Sequence, residues 1–200
     1  MNGYVDSFYA RTRIPAEPRR ALAGTVEVDV AIVGGGLAGL TAAIELSRAG
    51  RKVAVLEAER IGWGASGRNG GFVSPGYATG LSHIEAMAGR EAALALYRLS
   101  IEGVRIVEEN LAGFDQPRNE PTYGKLSVLR YADAPALKAQ QERMARDFGY
   151  ALEFRDREQV RSELCSTKYH EGLFDPQAFH FHPLDYALGL ASGIEALGGA

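Results

Sequence analysis

Residues 28–57, "VDVAIVGGGLAGLTAAIELSRAGRKVAVLE", decide the fold class of this chain. They open on an apolar run in which Val28, Val30 and Ile32 point one way while Ala31 and Val33 point the other. Apolar residues on both faces suit a strand of a parallel sheet covered by helices. A glycine cluster follows. Leu40, Ala43, Ile44 and Ser47 then recur at helical spacing until Gly50, which takes the C′ position that ends a helix. "KVAVLEA" is a second strand. Strand, helix and strand within about thirty residues form a βαβ unit, with parallel strands and a right-handed crossover.

The cluster Gly34-Gly35-Gly36-Leu37-Ala38-Gly39 satisfies G-x-G-x-x-G in the context that motif requires, directly after a strand and opening a helix. Gly34 permits the tight turn, Gly36 lets a pyrophosphate approach the backbone, and Gly39 lets the helix pack close to the strand. The amides of Gly36, Leu37 and Ala38 are unpaired by helix geometry and sit at the positive end of the helix dipole, so a diphosphate is their natural partner. Ala43, Leu46, Gly50 and Val53 fall at the small, apolar, turn and strand positions of the extended pattern. Glu57 closes the second strand, 18 residues after Gly39. A carboxylate there accepts hydrogen bonds from an adenosine ribose and repels a 2′-phosphate. A glycine-rich turn that binds nothing is the plainer alternative, and the full extended pattern weighs against it. The fingerprint alone does not separate FAD from NAD.

Composition sets the outer bounds. The chain has 200 residues, 46% hydrophobic and 24% charged, as in ordinary globular proteins. A net charge of −3 and a pI near 5.9 argue against nucleic-acid binding, which shows a basic excess. A single cysteine, Cys165, excludes an intrachain disulfide, and without a CxxC or a His/Cys cluster it excludes a thiolate zinc site. No apolar run approaches a membrane span. "MNGYVDSFYARTRIPAEPRR" lacks the apolar core of a secretory signal, so a reduced, cytoplasmic setting is expected.

Residues 1–25 are polar and aperiodic and read as a surface arm. In "EAALALYRLSIEGVRIVEENLAGF", Leu94, Tyr97, Ile101, Val104, Val107 and Leu111 recur at spacings of three and four, the pattern of a long amphipathic helix. "YGKLSVLRYA" reads as a strand and "APALKAQQERMARDFG" as a helix closed by Gly149. Next come a short strand near "ALEFR" and a short helix in "DREQVRSEL". "HFHPLDYALGLASGIEALGG" opens a helix at Pro183 and closes on a glycine pair. "NEP" and "FDP" mark loops.

After the second strand comes "ERIGWGASGRNGGFVSPG", where residues 62–71 hold five glycines and one charge. A solvent loop carries more Ser, Asp, Lys and Glu; this much bare backbone marks a place that something approaches closely. Here the sequence resembles the FAD-dependent D-amino-acid oxidase superfamily, which includes glycine oxidase and sarcosine oxidase, and within it the gamma-glutamylputrescine oxidoreductases. "SFYA", "DVAIVGGGLAGLTAAIEL", "VLEAERIGWGASGRNGGF", "YGKLSV" and "HFHPLDYALGLA" carry the likeness, which runs through nearly the whole chain.

The resemblance implies an α/β fold: a Rossmann-like, doubly wound FAD-binding domain with a partial α+β substrate-domain region. The expected divisions are an arm at 1–25, the FAD-binding region at 26–115, substrate-domain region at 116–180, and a helix returning to the FAD-binding domain at 181–200. It adds a loop running under the pyrophosphate and along the flavin, so that Ala58, Ala65, Ser66, Arg68, Asn69, Gly70 and Gly71 join Gly34, Gly36, Leu37, Ala38, Gly39 and Glu57 as candidate FAD-binding residues. Ser66 can donate to a pyrophosphate oxygen. Arg68 either supplies positive charge near phosphate or reduced flavin, or pairs with a neighbouring acid. Trp63 either packs or lines the cofactor. His180 and His182 share a face if both lie on a strand, but no acid or thiol is spaced to complete a metal site; His182 reads as the point of return to the FAD domain.

The implied reaction is oxidation of an amine or amino-acid-like small molecule. Hydride passes to flavin N5, the imine hydrolyses, and oxygen or another acceptor restores the flavin. The flavin performs that chemistry, so no catalytic residue is assigned. Alternatives are a dehydrogenase passing electrons to a quinone or protein, and a non-catalytic flavin-binding module. The resemblance further implies a polypeptide about twice this length, of which these residues form the N-terminal part and do not turn over alone.

Overall fold

The structure is a computed structural model that describes residues 3–113 and 120–200. Along the chain run α1 (Phe8–Thr12), β1 (Val30–Val33), α2 (Leu37–Arg48), β2 (Val53–Leu56), a 3₁₀ turn (Ala65–Gly67) and β3 (Phe72–Val73). Then come α3 (Leu81–Ala88), α4 (Arg90–Ala112), β4 (Thr122–Val128), α5 (Ala134–Phe148) and β5 (Glu153–Arg155). α6 (Arg157–Leu164), β6 (Gly172–His180) and α7 (Pro183–Ala196) complete the order. The chain divides into two compact units, Met1–Gly71 with Glu108–Pro121 and Phe181–Ala200, and Phe72–Val107 with Thr122–His180. Residues 72–107 thus fall in the second unit. The boundary expected between 115 and 116 lies outside the described residues.

In the first unit β1 and β2 are parallel, in register from Val30↔Val53 to Val33↔Leu56, and α2 connects them. α2 buries Leu40, Ala43, Ile44 and Ser47, the face its spacing marked, and packs on α7. α7 is apolar nearly all round, which is why Leu184, Tyr186, Ala187, Leu190 and Ile194 are all buried. Full burial of one such Leu contributes about 2 kcal/mol. Ala200 lies along β2, donating to the Val53 carbonyl and accepting from Val55 N–H at 2.7 Å. Of the two apolar faces of β1, the one bearing Val30 and Ile32 is half-buried, whereas Ala31 is exposed and Val33 is 87% exposed among the described residues.

The second unit is an antiparallel sheet with β6 at its centre. β4 pairs along one edge of β6, and β5 and β3 pair along the other. The "FDP" segment is therefore not a loop: Phe174, Asp175 and Pro176 lie inside β6. Between the pairs Tyr123↔Phe179 and Lys125↔Asp175, β6 has three residues where β4 has Gly124 alone. A bulge of this kind accommodates a proline, which has no N–H for the ladder. Asp175 Oδ1 caps the bulge by accepting from Gln177 N–H at 3.0 Å and Ala178 N–H at 3.1 Å. α5 is capped by Asp133 and ends at Gly149 in the left-handed conformation; α6 opens with an Asp156–Gln159 capping box.

Candidate functional site

The first unit assembles the glycine turn, the end of β2 and the glycine loop. Gly34 N–H donates to the Leu56 carbonyl at 2.8 Å, so the β1–β2 ladder continues into the turn. α2 then starts at Leu37 with Gly36 as N-cap and no side chain of its own to cap it. Gly39 stands where helix meets turn: a Cβ there would lie less than 3.0 Å from the Gly34 carbonyl oxygen, a contact real structures do not show. Only glycine lets α2 come this close to β1.

Glu57 reaches from the end of β2 back to the turn. Its Oε2 accepts from Gly35 N–H at 2.6 Å and its Oε1 from Glu59 N–H at 2.8 Å. An ionised carboxylate has about four lone-pair sites, so two stay open for further donors. Gly35, which the motif reading left without a role, is thus the residue that fixes the Glu57 side chain. The sequence offers no signal for this, since G-x-G-x-x-G leaves that position free.

The loop is tied to the turn at two points. Gly62 N–H donates to the Gly35 carbonyl at 2.8 Å, and Leu37 N–H donates to Ser66 Oγ at 3.0 Å. Ser66 therefore caps α2 from a distant segment, and its own hydroxyl proton is free to donate. The loop lies against α7, with Leu184 and Ala187 close to Gly62 and Leu184 close to Gly67. Asn69 staples the loop internally: Nδ2 donates to the Ala65 and Ser66 carbonyls, and Oδ1 accepts from Gly71 N–H at 2.8 Å. Gly71 has a φ of +68° and leaves no room for a Cβ beside the Phe181 carbonyl. Ala38, Ala58, Ala65 and Gly70 are exposed.

Arg68 lies apart from the turn. Its Nε donates to the Gly64 carbonyl at 3.1 Å and its guanidinium sits 5.3 Å from the centre of the Trp63 ring. No acid pairs with it among the described residues. His180 ends β6, whereas His182 is the N-cap of α7, so the two histidines do not share a strand. Neutral His182 accepts from Asp185 N–H through Nδ1 at 3.1 Å, and its Nε2 lies 3.1 Å from Thr12 Oγ1. Burial pushes the His182 pKa below its ordinary value, against the opposing pull of Asp185. The arm also reaches the site: the Tyr4 hydroxyl donates to the Ile61 carbonyl at 2.9 Å. Sequence reading missed this strap, because an aperiodic segment announces no contact.

A parallel βαβ unit with a glycine turn, a carboxylate at the end of its second strand and a glycine loop across the helix start has the form of a dinucleotide-binding fold. The FAD dependent oxidoreductase family matches residues 29–200, and the chain belongs to that family, whose cofactor is FAD. The gamma-glutamylputrescine oxidoreductase of Escherichia coli (strain K12) is 34% identical over 199 residues, covering 100% of this chain and 47% of that protein. A probable oxidoreductase OrdL of Haemophilus influenzae is 33% identical over 197 residues, covering 98% of this chain and 46% of that one. Among solved structures, an L-amino acid deaminase from Proteus myxofaciens in complex with anthranilate superimposes with a TM-score of 0.71 at 22% identity, over 94% of this chain and 40% of that chain. The chain spans about half the length of the curated relatives it matches. No helix among the described residues is long and apolar enough to cross a membrane.

Proposed function

We propose that this chain supplies the dinucleotide-holding part of an FAD-dependent oxidoreductase whose substrate is an amine or amino-acid-like small molecule. The observation that carries the reading is the joint placement of Glu57 and Ser66 around the glycine turn. Glu57 keeps two acceptor sites for ribose hydroxyls, and Ser66 holds a free hydroxyl at the start of α2. With Gly34, Gly36, Ala38 and Gly39 baring the helix start, these residues fit an adenosine diphosphate group. Leu37 serves through Ser66, which takes its N–H and turns a hydroxyl donor outward. Asn69 is a positioning residue whose hydrogen-bonding groups fix the path of Ala65, Ser66 and Gly71. Arg68, free of any acid among the described residues, brings positive charge to the exposed side of the loop, over Trp63.

When bound, FAD supplies a two-electron acceptor for a carbon that bears nitrogen. The residues of the turn and loop bind and orient it, and none of them is assigned proton transfer. The amine class rests on the names of the relatives, an oxidoreductase of gamma-glutamylputrescine and a deaminase of amino acids. Oxygen is the proposed acceptor. An anaerobic screen of amines and amino acids against flavin absorbance tests the substrate class, and bleaching by none of them refutes it. Oxygen uptake with stoichiometric peroxide supports oxygen as acceptor; reduction of a quinone analogue without peroxide favours the dehydrogenase reading.

A further inference from the structure

The second unit holds a cavity of about 240 Å³ between β4, β6, α5 and the Ser74–Pro75 turn. That is room for about eight water-sized groups. No residue of the glycine turn or glycine loop lines it, so a ligand in this cavity is independent of the role proposed for the first unit.

Its polar wall is rich in unused donors. The Lys125 ammonium carries three N–H bonds, one of which goes to Ser74 Oγ at 3.0 Å. No carboxylate pairs with it among the described residues. Ser127 lies two residues along on the same face of β4. The Ser127 hydroxyl, Tyr97 hydroxyl and Gln140 amide line the same space without a hydrogen-bond partner among the described residues. The acid in the lining, Asp175, is already engaged: Tyr150 donates its hydroxyl proton to it at 2.9 Å, and the bulge amides occupy Oδ1. The opposite wall is apolar, with Leu137, Met144 and Leu173 buried.

Such a lining discriminates among ligands. An amine would meet the Lys125 charge with like sign. A phosphate or sulfate would leave the apolar wall unfilled and would find one lysine in place of an arginine fork. A carboxylate accepts from the ammonium and the neighbouring hydroxyls while its carbon chain covers the leucines.

We propose that this cavity is a binding site for a small aliphatic carboxylate, held at its head by Lys125, Ser127 and Ser74 and along its body by Leu137, Met144 and Leu173. The test is calorimetric titration of the FAD-loaded protein with hexanoate, hexylamine and hexan-1-ol. Hexanoate is expected to bind one to one, at least about tenfold tighter than either neutral or cationic probe. Lys125→Met is expected to weaken hexanoate by about tenfold or more with an unchanged melting temperature. Gln140→Trp, which fills the cavity from α5 and leaves the charge in place, is a second check and is expected to abolish binding. Equal affinity for the three probes, absence of hexanoate binding, or hexanoate binding that survives both substitutions overturns the proposal.

Discussion

Glu57→Gln separates the two things the Glu57 carboxylate is asked to do. In the folded chain it accepts one backbone N–H on each oxygen, from Gly35 at 2.6 Å and from Glu59 at 2.8 Å. Hydrogen bonds to a charged group contribute about 1.5–3 kcal/mol each, and neutral ones about 1 kcal/mol. Glutamine keeps the shape but replaces one oxygen with NH₂, which faces a backbone donor with another donor. One bond is lost and the other falls to neutral strength. Because the residue is half-exposed and water replaces part of the loss, about 1–3 kcal/mol of stability is expected to go before any cofactor binds. FAD then loses its charge-assisted ribose contacts, for a further drop of one to two orders of magnitude in affinity. The assay is titration of the apo-protein with FAD, followed by quenching of flavin fluorescence, beside thermal melts of the apo form. A lower melting temperature with unchanged FAD affinity would refute the ribose assignment and leave Glu57 a purely structural clamp. Unchanged values in both would refute the geometry as well.

Gly39→Val places side-chain atoms against the Gly34 carbonyl and is expected to cost at least the ~1–3 kcal/mol typical of overpacking, read as a lowered melting temperature and lost FAD retention on gel filtration. For His182, burial lowers the folded pKa below the ordinary 6.5, so the unfolded chain binds the proton more readily. Its contribution is therefore complete above pH 6.5 and is lost as pH falls through the folded pKa. His182→Asn, which retains a capping acceptor, is expected to flatten that slope in urea midpoints measured across the acidic range. No covalent link to flavin is expected through the loop, since "GASGRNGG" offers no His, Cys or Tyr; a flavin-labelled peptide within residues 62–76 would refute this.

What could be read from sequence and what could not divides along a physical line. Periodic burial was legible: Leu40, Ala43, Ile44 and Ser47 repeat at helical spacing because one face of α2 meets α7, and that face is the buried one. Local chemistry was legible where it is self-contained, as in Gly149 ending α5 and Pro183 opening α7. β6 escaped because Asp175 and Pro176 are residues that terminate strands in isolation. They are tolerated at this place only because Gly124 on the neighbouring strand, far away in sequence, and the Asp175 side chain together absorb a bulge. The candidate site divides in the same way. Its glycines and Glu57 stand out because they follow a spacing that the proposed dinucleotide role dictates. The Ser66 cap on Leu37, the Gly35 clamp on Glu57 and the Tyr4 strap on Ile61 join residues 29, 22 and 57 positions apart, and no local pattern encodes such pairs. The glycines of the loop thus answer two demands at once. In the proposed role they leave backbone bare for a cofactor, and at Gly62 and Gly67 they leave room for Leu184, so that α7 holds the loop in place. A substitution of Leu184 that shrinks this side chain is accordingly expected to loosen the loop and weaken FAD retention without touching any cofactor-facing atom, and retention equal to that of the unaltered protein would sever α7 from the site.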